Sequence, residues 1–233
     1  GKYLDVAATK GGRDELVCRL PLFTGARLGE IIALACADVN TLKGTVTLNK
    51  SVFMAEKVAG KSRGRRNYRA KRPLSVVVEG PREYTGKIQE ILPVDMAKKL
   101  SAGGEFVKAG LKAGHDTRGV PLRDRQTLNL LAEWIQGRKP REYLFPSQKG
   151  GRLSYVAAYR VITAAMLEAG IDKVKAHPHN LRHTYAVHSI KAGVPLNVVQ
   201  RILGHSDIAT TSIYLRLVYE DLVEAVDKAG PIF

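Results

Sequence analysis

The run His179-Asn180-Leu181-Arg182-His183-Thr184, followed by Leu203-Gly204-His205 and then Thr210-Thr211-Ser212-Ile213-Tyr214, decides how this chain is read. Its punctuation sets the local fold. Gly193, Pro195 and Gly204 cut it into three short helices, Asn180 to Ala192, Asn197 to Leu203 and Asp207 to Leu215, because glycine ends helices and proline cannot continue them. On a helix, His179 and Arg182 are three apart and face the same way. Far upstream, Thr24-Gly25-Ala26-Arg27-Leu28-Gly29-Glu30 places another arginine at a helix start, where free N–H groups already favour anions. Arginine grips two non-bridging phosphate oxygens with a planar fork and stays charged at any working pH. Histidine exchanges protons near neutrality, and a tyrosine can carry a covalent intermediate. Two arginines, two histidines and a tyrosine are a sufficient set for moving a phosphoryl group.

Outward from that run, Gly12 to Leu20 reads as an amphipathic helix that Gly25 ends, and Arg27 to Ala37 as a second helix burying Ile31, Ile32, Leu34 and Ala35. After a turn at Asp38-Val39-Asn40, β-branched residues alternate in Gly44-Thr45-Val46-Thr47-Leu48, a strand. Leu74 to Val78 and Gly119 to Leu122 read as further strands, whereas Glu79 to Lys112 alternates Gly, Pro and Lys too irregularly for assignment. Asp124 to Ile135 is a helix with Leu128, Leu131 and Trp134 on one side. Ser154 caps another that runs to about Ala169, and Tyr219 to Ala229 is a closing amphipathic helix. The pattern predicts a mainly α chain with a small antiparallel β-sheet, an α+β fold.

Lys and Arg number 37 against 22 Asp and Glu, a formal net charge of +15. So large an excess points to a polyanionic partner, nucleic acid first. It is also concentrated: from Lys57 to Arg72, sixteen residues hold eight Lys or Arg and no acid, and such a run is usually solvated and mobile without a partner. Cys18 and Cys36 lie in apolar runs and make neither a disulfide framework nor a metal spacing, which fits a reducing compartment. No apolar run approaches the ~20 residues that span a bilayer, and no signal peptide opens the chain. The start at Gly1-Lys2 reads as a cut boundary rather than a natural beginning. His179 and His183, four apart, permit a metal pair, but no carboxylate completes an HExxH arrangement and Arg182 repels a cation.

Together these motifs resemble the catalytic domain of the tyrosine recombinase (phage integrase) family, and the resemblance spans most of the chain. That family places its first catalytic arginine in a TGxRxxE segment, its second in HxxR followed by a histidine, and then an LGH turn and a nucleophilic tyrosine. The resemblance implies Arg27 and Arg182 as phosphate clamps, His179 as proton acceptor or phosphate ligand, His205 as third phosphate ligand and Tyr214 as nucleophile. Glu30 would be the carboxylate that orients an arginine. His183, His188 and His177 match no chemical role and read as structural; Tyr219 and Tyr185 rival Tyr214 but lie at apolar spacings that suit packing. The family's general acid is a lysine in a β-hairpin turn shortly before an Arg-x-(Val/Ile)-Pro-Leu strand. Arg118-Gly119-Val120-Pro121-Leu122 is such a strand and Lys112 precedes it suitably. Lys50 and Lys108 remain alternatives, because about 51–111 forms a basic insertion in the hairpin. Within it Arg63, Arg65, Arg66 and Arg69 are candidate DNA contacts.

The resemblance implies a site-specific DNA recombinase of integrase or transposase type that cleaves and rejoins double-stranded DNA through a 3′-phosphotyrosyl link. It needs no cofactor, metal or ATP. Recombination would take four protomers on two duplexes, with the helix from Tyr219 docking on a neighbour or on its own core. The expected setting is cytoplasmic and DNA-associated, of bacterial, archaeal or viral origin. All 233 residues read as catalytic domain, without the amino-terminal DNA-clamping domain that family members usually carry. Two rival classes differ. A type IB topoisomerase-like enzyme shares the catalytic set, but the LRHTYA, LGHSD and TxxxYL runs are written in the recombinase style. A non-catalytic DNA-binding module fits Pro195 to Tyr214 as a helix-turn-helix, yet a reader helix needs neither Arg27 nor a tyrosine at this spacing.

Overall fold

The computed structural model describes residues 1–55, 74–77, 83–86, 104–109, 117–148, 150–204 and 214. Two helices open the chain, α1 (Lys2–Lys10) and α2 (Gly12–Thr24). Only Ala7 of α1 is fully buried, a stripe too thin for periodicity to reveal. On α2, Leu16, Val17, Cys18 and Leu20 are buried on every side, as befits a central helix. Glu15 and Arg19, also buried there, pair at 2.8 Å.

Next comes α3 (Leu28–Ile32), shorter than the helix expected from Arg27 to Ala37. Its continuation is captured by a distant segment. Leu144 N donates to Leu34 O at 2.7 Å, Cys36 N to Glu142 O at 2.9 Å and Ala37 N to Pro140 O at 2.9 Å. Backbone groups engaged this way cannot continue an i→i−4 ladder, so the chain turns through a single 3₁₀ turn at Cys36–Asp38 instead.

Seven strands follow among the described residues: β1 (Val39–Asn40), β2 (Thr45–Leu48), β3 (Lys50–Ala55), β4 (Leu74–Val77), β5 (Glu83–Gly86), β6 (Gly104–Ala109) and β7 (Arg118–Pro121). All described pairings are antiparallel, and they build two small sheets, ordered β1-β2-β7 and β3-β6-β4-β5. In the first, Leu48 faces Arg118 and Val46 faces Val120; Val46, Leu48, Val120 and Leu122 point into the core, with less buried residues between them. Strands β5 and β6 lie where composition allowed no assignment; they are defined by pairing, β6 lying between β3 and β4. Helix α3 presses on β3 so closely that a Cβ at Gly29 would lie 2.5 Å from the Val52 carbonyl oxygen. The second glycine of Thr-Gly-Ala-Arg-Leu-Gly-Glu is there because only a hydrogen side chain admits that approach.

Four more helices complete the described chain: α4 (Arg125–Ile135), α5 (Tyr155–Glu168), α6 (Pro178–Lys191) and α7 (Leu196–Leu203). Asp124 caps α4 by accepting from Thr127 N at 2.8 Å, and Ser154 caps α5 by accepting from Ala157 N at 3.1 Å. Ala158, Ile162, Ala165 and Met166 recur at helical spacing and bury one face of α5. Helix α2 packs against α1, α4, α5 and α6, so the central helix brings the TGARLGE turn at its carboxy end beside α6. The fold is mainly helical with small antiparallel sheets, in agreement with the sequence reading. Tyr214 is helical; the rest of the helix expected from Asp207 to Leu215, and that from Tyr219 to Ala229, lie outside the described residues. Among the described residues, no helix is long and apolar enough to cross a membrane.

Candidate active site

Thr24 closes α2 with its own hydroxyl, which donates to Leu20 O at 2.5 Å and accepts from Ala26 N at 3.2 Å. The chain leaves through Gly25 and places Arg27 just ahead of α3. Glu30 then folds back on Arg27. Its Oε2 accepts from Arg27 N at 2.8 Å, and its Oε1 from Arg27 Nη1 at 3.1 Å. The same Oε2 accepts from Arg118 Nη2 at 2.6 Å, across from β7. Glu30 and Arg118 are buried, whereas the Arg27 side chain is 30% exposed and within reach of a ligand. Burial pushes the Glu30 carboxyl up, but Arg118 and then Arg27 more than offset it and hold it below its ordinary value. The expected orienting role of Glu30 thus has a geometric counterpart. Arg118, by contrast, reads from the sequence only as the start of a strand. Its partner Glu30 lies 88 positions away, so no local pattern could have announced it.

Arg118 does a second thing: its Nε donates to Ile202 O at 2.8 Å, at the end of α7. One residue further, Leu203 O accepts from Arg182 Nη2 at 2.6 Å. Gly204 ends the helix in the left-handed conformation at φ 67, and a Cβ there would come within 2.7 Å of Arg118 Nη1. Glycine is required at this turn twice over, for its dihedral and for room. Arg182 itself is 0% exposed. Its Nη1 donates to Gly25 O at 2.6 Å, so one guanidinium ties the TGARLGE turn to the LGH turn. Its buried Nε keeps no hydrogen-bond partner. Burial, then Arg27, push the Arg182 guanidinium down to about 9, which leaves it cationic at neutral pH.

Tyr214 is 3% exposed. Its hydroxyl lies 2.7 Å from His183 Nδ1, and the His183 and His179 rings meet edge to face with centroids 4.5 Å apart. His179 and His183 are one turn apart on α6, and Arg182 sits between them in sequence. Burial and its neighbours His183, Arg182 and Arg27 push His179 down to about 4; burial and Arg182 lower His183. Both rings are therefore neutral at pH 7. Burial raises the Tyr214 phenol, with Arg182 and Arg27 pulling the other way. His183, read as structural from the sequence, stands against the hydroxyl of the expected nucleophile. The available signal was its position four residues from His179 on the same helix face. Tyr185, a rival tyrosine, packs instead over Gly25, where a Cβ would lie 2.5 Å from its ring.

The structure thus gathers Arg27, Glu30, Arg182, His179 and Tyr214. Lys50 is held in an ion pair, its Nζ 3.1 Å from Asp38 Oδ2. The backbone of Lys108 lies in β6, facing Ser51. Lys112, His205, Tyr219, and the four arginines Arg63, Arg65, Arg66 and Arg69 lie outside the described residues. Among the described residues, no group of three or more His, Cys, Asp or Glu side chains is placed to hold a metal ion.

The Glu30 cluster gives a direct prediction for stability. Glu30→Ala leaves Arg118 buried without its counter-charge and should cost about 3–5 kcal/mol, read as a lower urea midpoint. A loss under about 1 kcal/mol, the range of exposed pairs, would show that the cluster is not a structural tie. Because folding lowers the Glu30 pKa, the tie's stabilisation is complete above the ordinary glutamate value of 4.5 and disappears as pH falls through the lower folded value.

Known proteins are similar to this chain. The phage integrase family model matches residues 87–221. A tyrosine recombinase of Pseudothermotoga lettingae is 37% identical over 135 residues, 55% of this chain and 44% of its own. Tyrosine recombinase XerD of Caulobacter vibrioides is 41% identical over 154 residues, 63% of this chain and 50% of its own. The chain spans about half the length of these curated relatives. Among solved structures, XerA recombinase superposes with a TM-score of 0.59 at 21% identity, covering all of this chain and 63% of that one. The catalytic domain of bacteriophage HP1 integrase superposes at 0.52 and 22% identity, covering 99% and 90%.

Proposed function

Because the chain belongs to the phage integrase family of tyrosine recombinases, we propose that it cleaves and rejoins double-stranded DNA as a site-specific recombinase. The observation that carries this reading is the tyrosine hydroxyl held 2.7 Å from an imidazole, beside an arginine that joins the two motif-bearing turns. Tyr214 attacks a DNA phosphodiester, forms a 3′-phosphotyrosyl link and releases a 5′-hydroxyl. A partner strand's hydroxyl then displaces the tyrosine. The covalent link conserves the energy of the broken ester, so the reaction calls for no ATP, and the arginines take the charge-stabilising place of a divalent metal. Arg27, exposed, and Arg182, buried, stabilise charge building on the pentacoordinate phosphorus, with His179 and His205 as further phosphate ligands; preorganised charge of this kind is often the largest catalytic contribution. Both Arg182 terminal nitrogens already donate to carbonyls, which fixes the guanidinium between the two turns. The reaction takes four protomers on two duplexes. The basic run from Lys57 to Arg72 reaches phosphates beyond the cleavage point, which makes affinity for any duplex steeply dependent on salt.

Incubation with a nicked suicide duplex tests the reading: protein covalently attached to DNA is the expected product, and its absence overturns the proposal. Lys112 is assigned as general acid to the departing 5′-oxygen, a role that the Lys50–Asp38 ion pair leaves Lys50 less free to fill. Lys112→Ala should therefore be inactive on ordinary DNA yet active where sulfur replaces the 5′-bridging oxygen, since a thiolate departs without a proton. Sulfur rescue of Lys50→Ala and not of Lys112→Ala would move the role to Lys50.

A further inference from the structure

The nucleophilic hydroxyl needs a proton acceptor, and the sequence motif had offered His179. Geometry favours the next turn of the helix. His183 Nδ1 is 2.7 Å from the Tyr214 hydroxyl oxygen, within the ~2.6–3.2 Å reach required of a general base. The two rings are tilted at 58° with centroids 5.4 Å apart. His179 touches His183 edge to face. We infer that His183 is the base that takes the Tyr214 proton, acting through Nδ1 in the tautomer that carries its hydrogen on Nε2, and that His179 is left as a phosphate ligand. This rests on the recombinase reading above.

The proton balance is simple. The Tyr214 O–H proton passes to His183 Nδ1 as the phenolate oxygen bonds to phosphorus. The bond from phosphorus to the 5′-oxygen breaks, and that oxygen gains a proton from the general acid. When a strand's 5′-hydroxyl later attacks, its proton returns to the general acid and the departing tyrosine oxygen recovers its own from His183. The surroundings suit this cycle. His183 must be neutral to begin, and its burial and the adjacent Arg182 keep it so. The titratable groups beside it are Arg182 and His179 on α6 and Tyr214 facing it, of which Arg182 lowers it; Arg27 acts on both His179 and Tyr214. A phosphodiester seated between the arginines adds negative charge, which favours the imidazolium just when it forms.

His183→Asn tests the assignment, because the amide keeps a hydrogen-bonding group near the Tyr214 hydroxyl but cannot accept the proton. Its rate of covalent attachment to the nicked duplex should fall about 10²–10⁴-fold, the range of a lost general base, with duplex affinity retained. Attachment at the wild-type rate overturns the inference. An independent measurement needs no DNA: ¹⁵N NMR of the histidine-labelled protein at neutral pH should find Nδ1 of His183 unprotonated and its shift altered by Tyr214→Phe. A proton on Nδ1 would make the ring a donor to the tyrosine and overturns the inference equally. If the wild-type protein formed no adduct, the recombinase reading would fall, while the tautomer would still decide the His183–Tyr214 pair.

Discussion

Tyr214→Phe is expected to abolish covalent attachment to a nicked duplex while leaving duplex binding nearly intact. One oxygen is removed and the ring remains to fill its buried place. The structural side effect is small, since the lost hydrogen bond to His183 Nδ1 is worth about 1 kcal/mol. Loss of adduct beside a nearly unchanged urea midpoint therefore reports chemistry and not folding. Persistence of the adduct in Tyr214→Phe, with its loss in Tyr219→Phe, would transfer the nucleophile to Tyr219.

Arg182→Lys is the second large effect. Cleavage should drop about 10²–10³-fold, as when a preorganised donor is removed from a transition state, because an ammonium is a point charge and cannot reproduce the planar fork. The structure adds a consequence that a surface arginine would not have. Lysine has one nitrogen where Arg182 uses two to hold the Gly25 and Leu203 carbonyls, so the variant should also unfold at lower urea. Arg182→Ala removes both ties and leaves two buried acceptors unpaired, which makes Lys the cleaner test. Full cleavage activity in Arg182→Lys would remove the clamp from the mechanism.

The sequence made some of this legible. Helices α2, α4, α5, α6 and α7 follow from local caps, breakers and apolar content, though α2 is buried on every side and not amphipathic as expected. Arg27, Glu30, Arg182, His179 and Tyr214 converge as their motifs imply. Features set by distant partners were hidden. Helix α3 stops at Ile32 because residues 140–144 capture the backbone beyond it. Strands β5 and β6 are made by their neighbours. Arg118 gains its importance from Glu30 and Ile202, both remote in sequence. His183 was hidden differently. Its neighbour Arg182 carries the motif, and only the fold brings Tyr214 against the adjacent ring.

The pairing of Leu48 with Arg118 carries a consequence for how such a chain can diverge. The hairpin that presents Arg118 to Glu30 is closed across roughly seventy intervening residues, yet loop-closure entropy grows only as the logarithm of length, about 0.6 kcal/mol for each doubling. Beyond β3, which packs on α3, the stretch leading to β6 can be lengthened or shortened while the cost to the arginine cluster stays near the thermal scale. The hairpin is therefore a port in the architecture: a place where new sequence enters and leaves the distance between Arg118 and Glu30 unchanged.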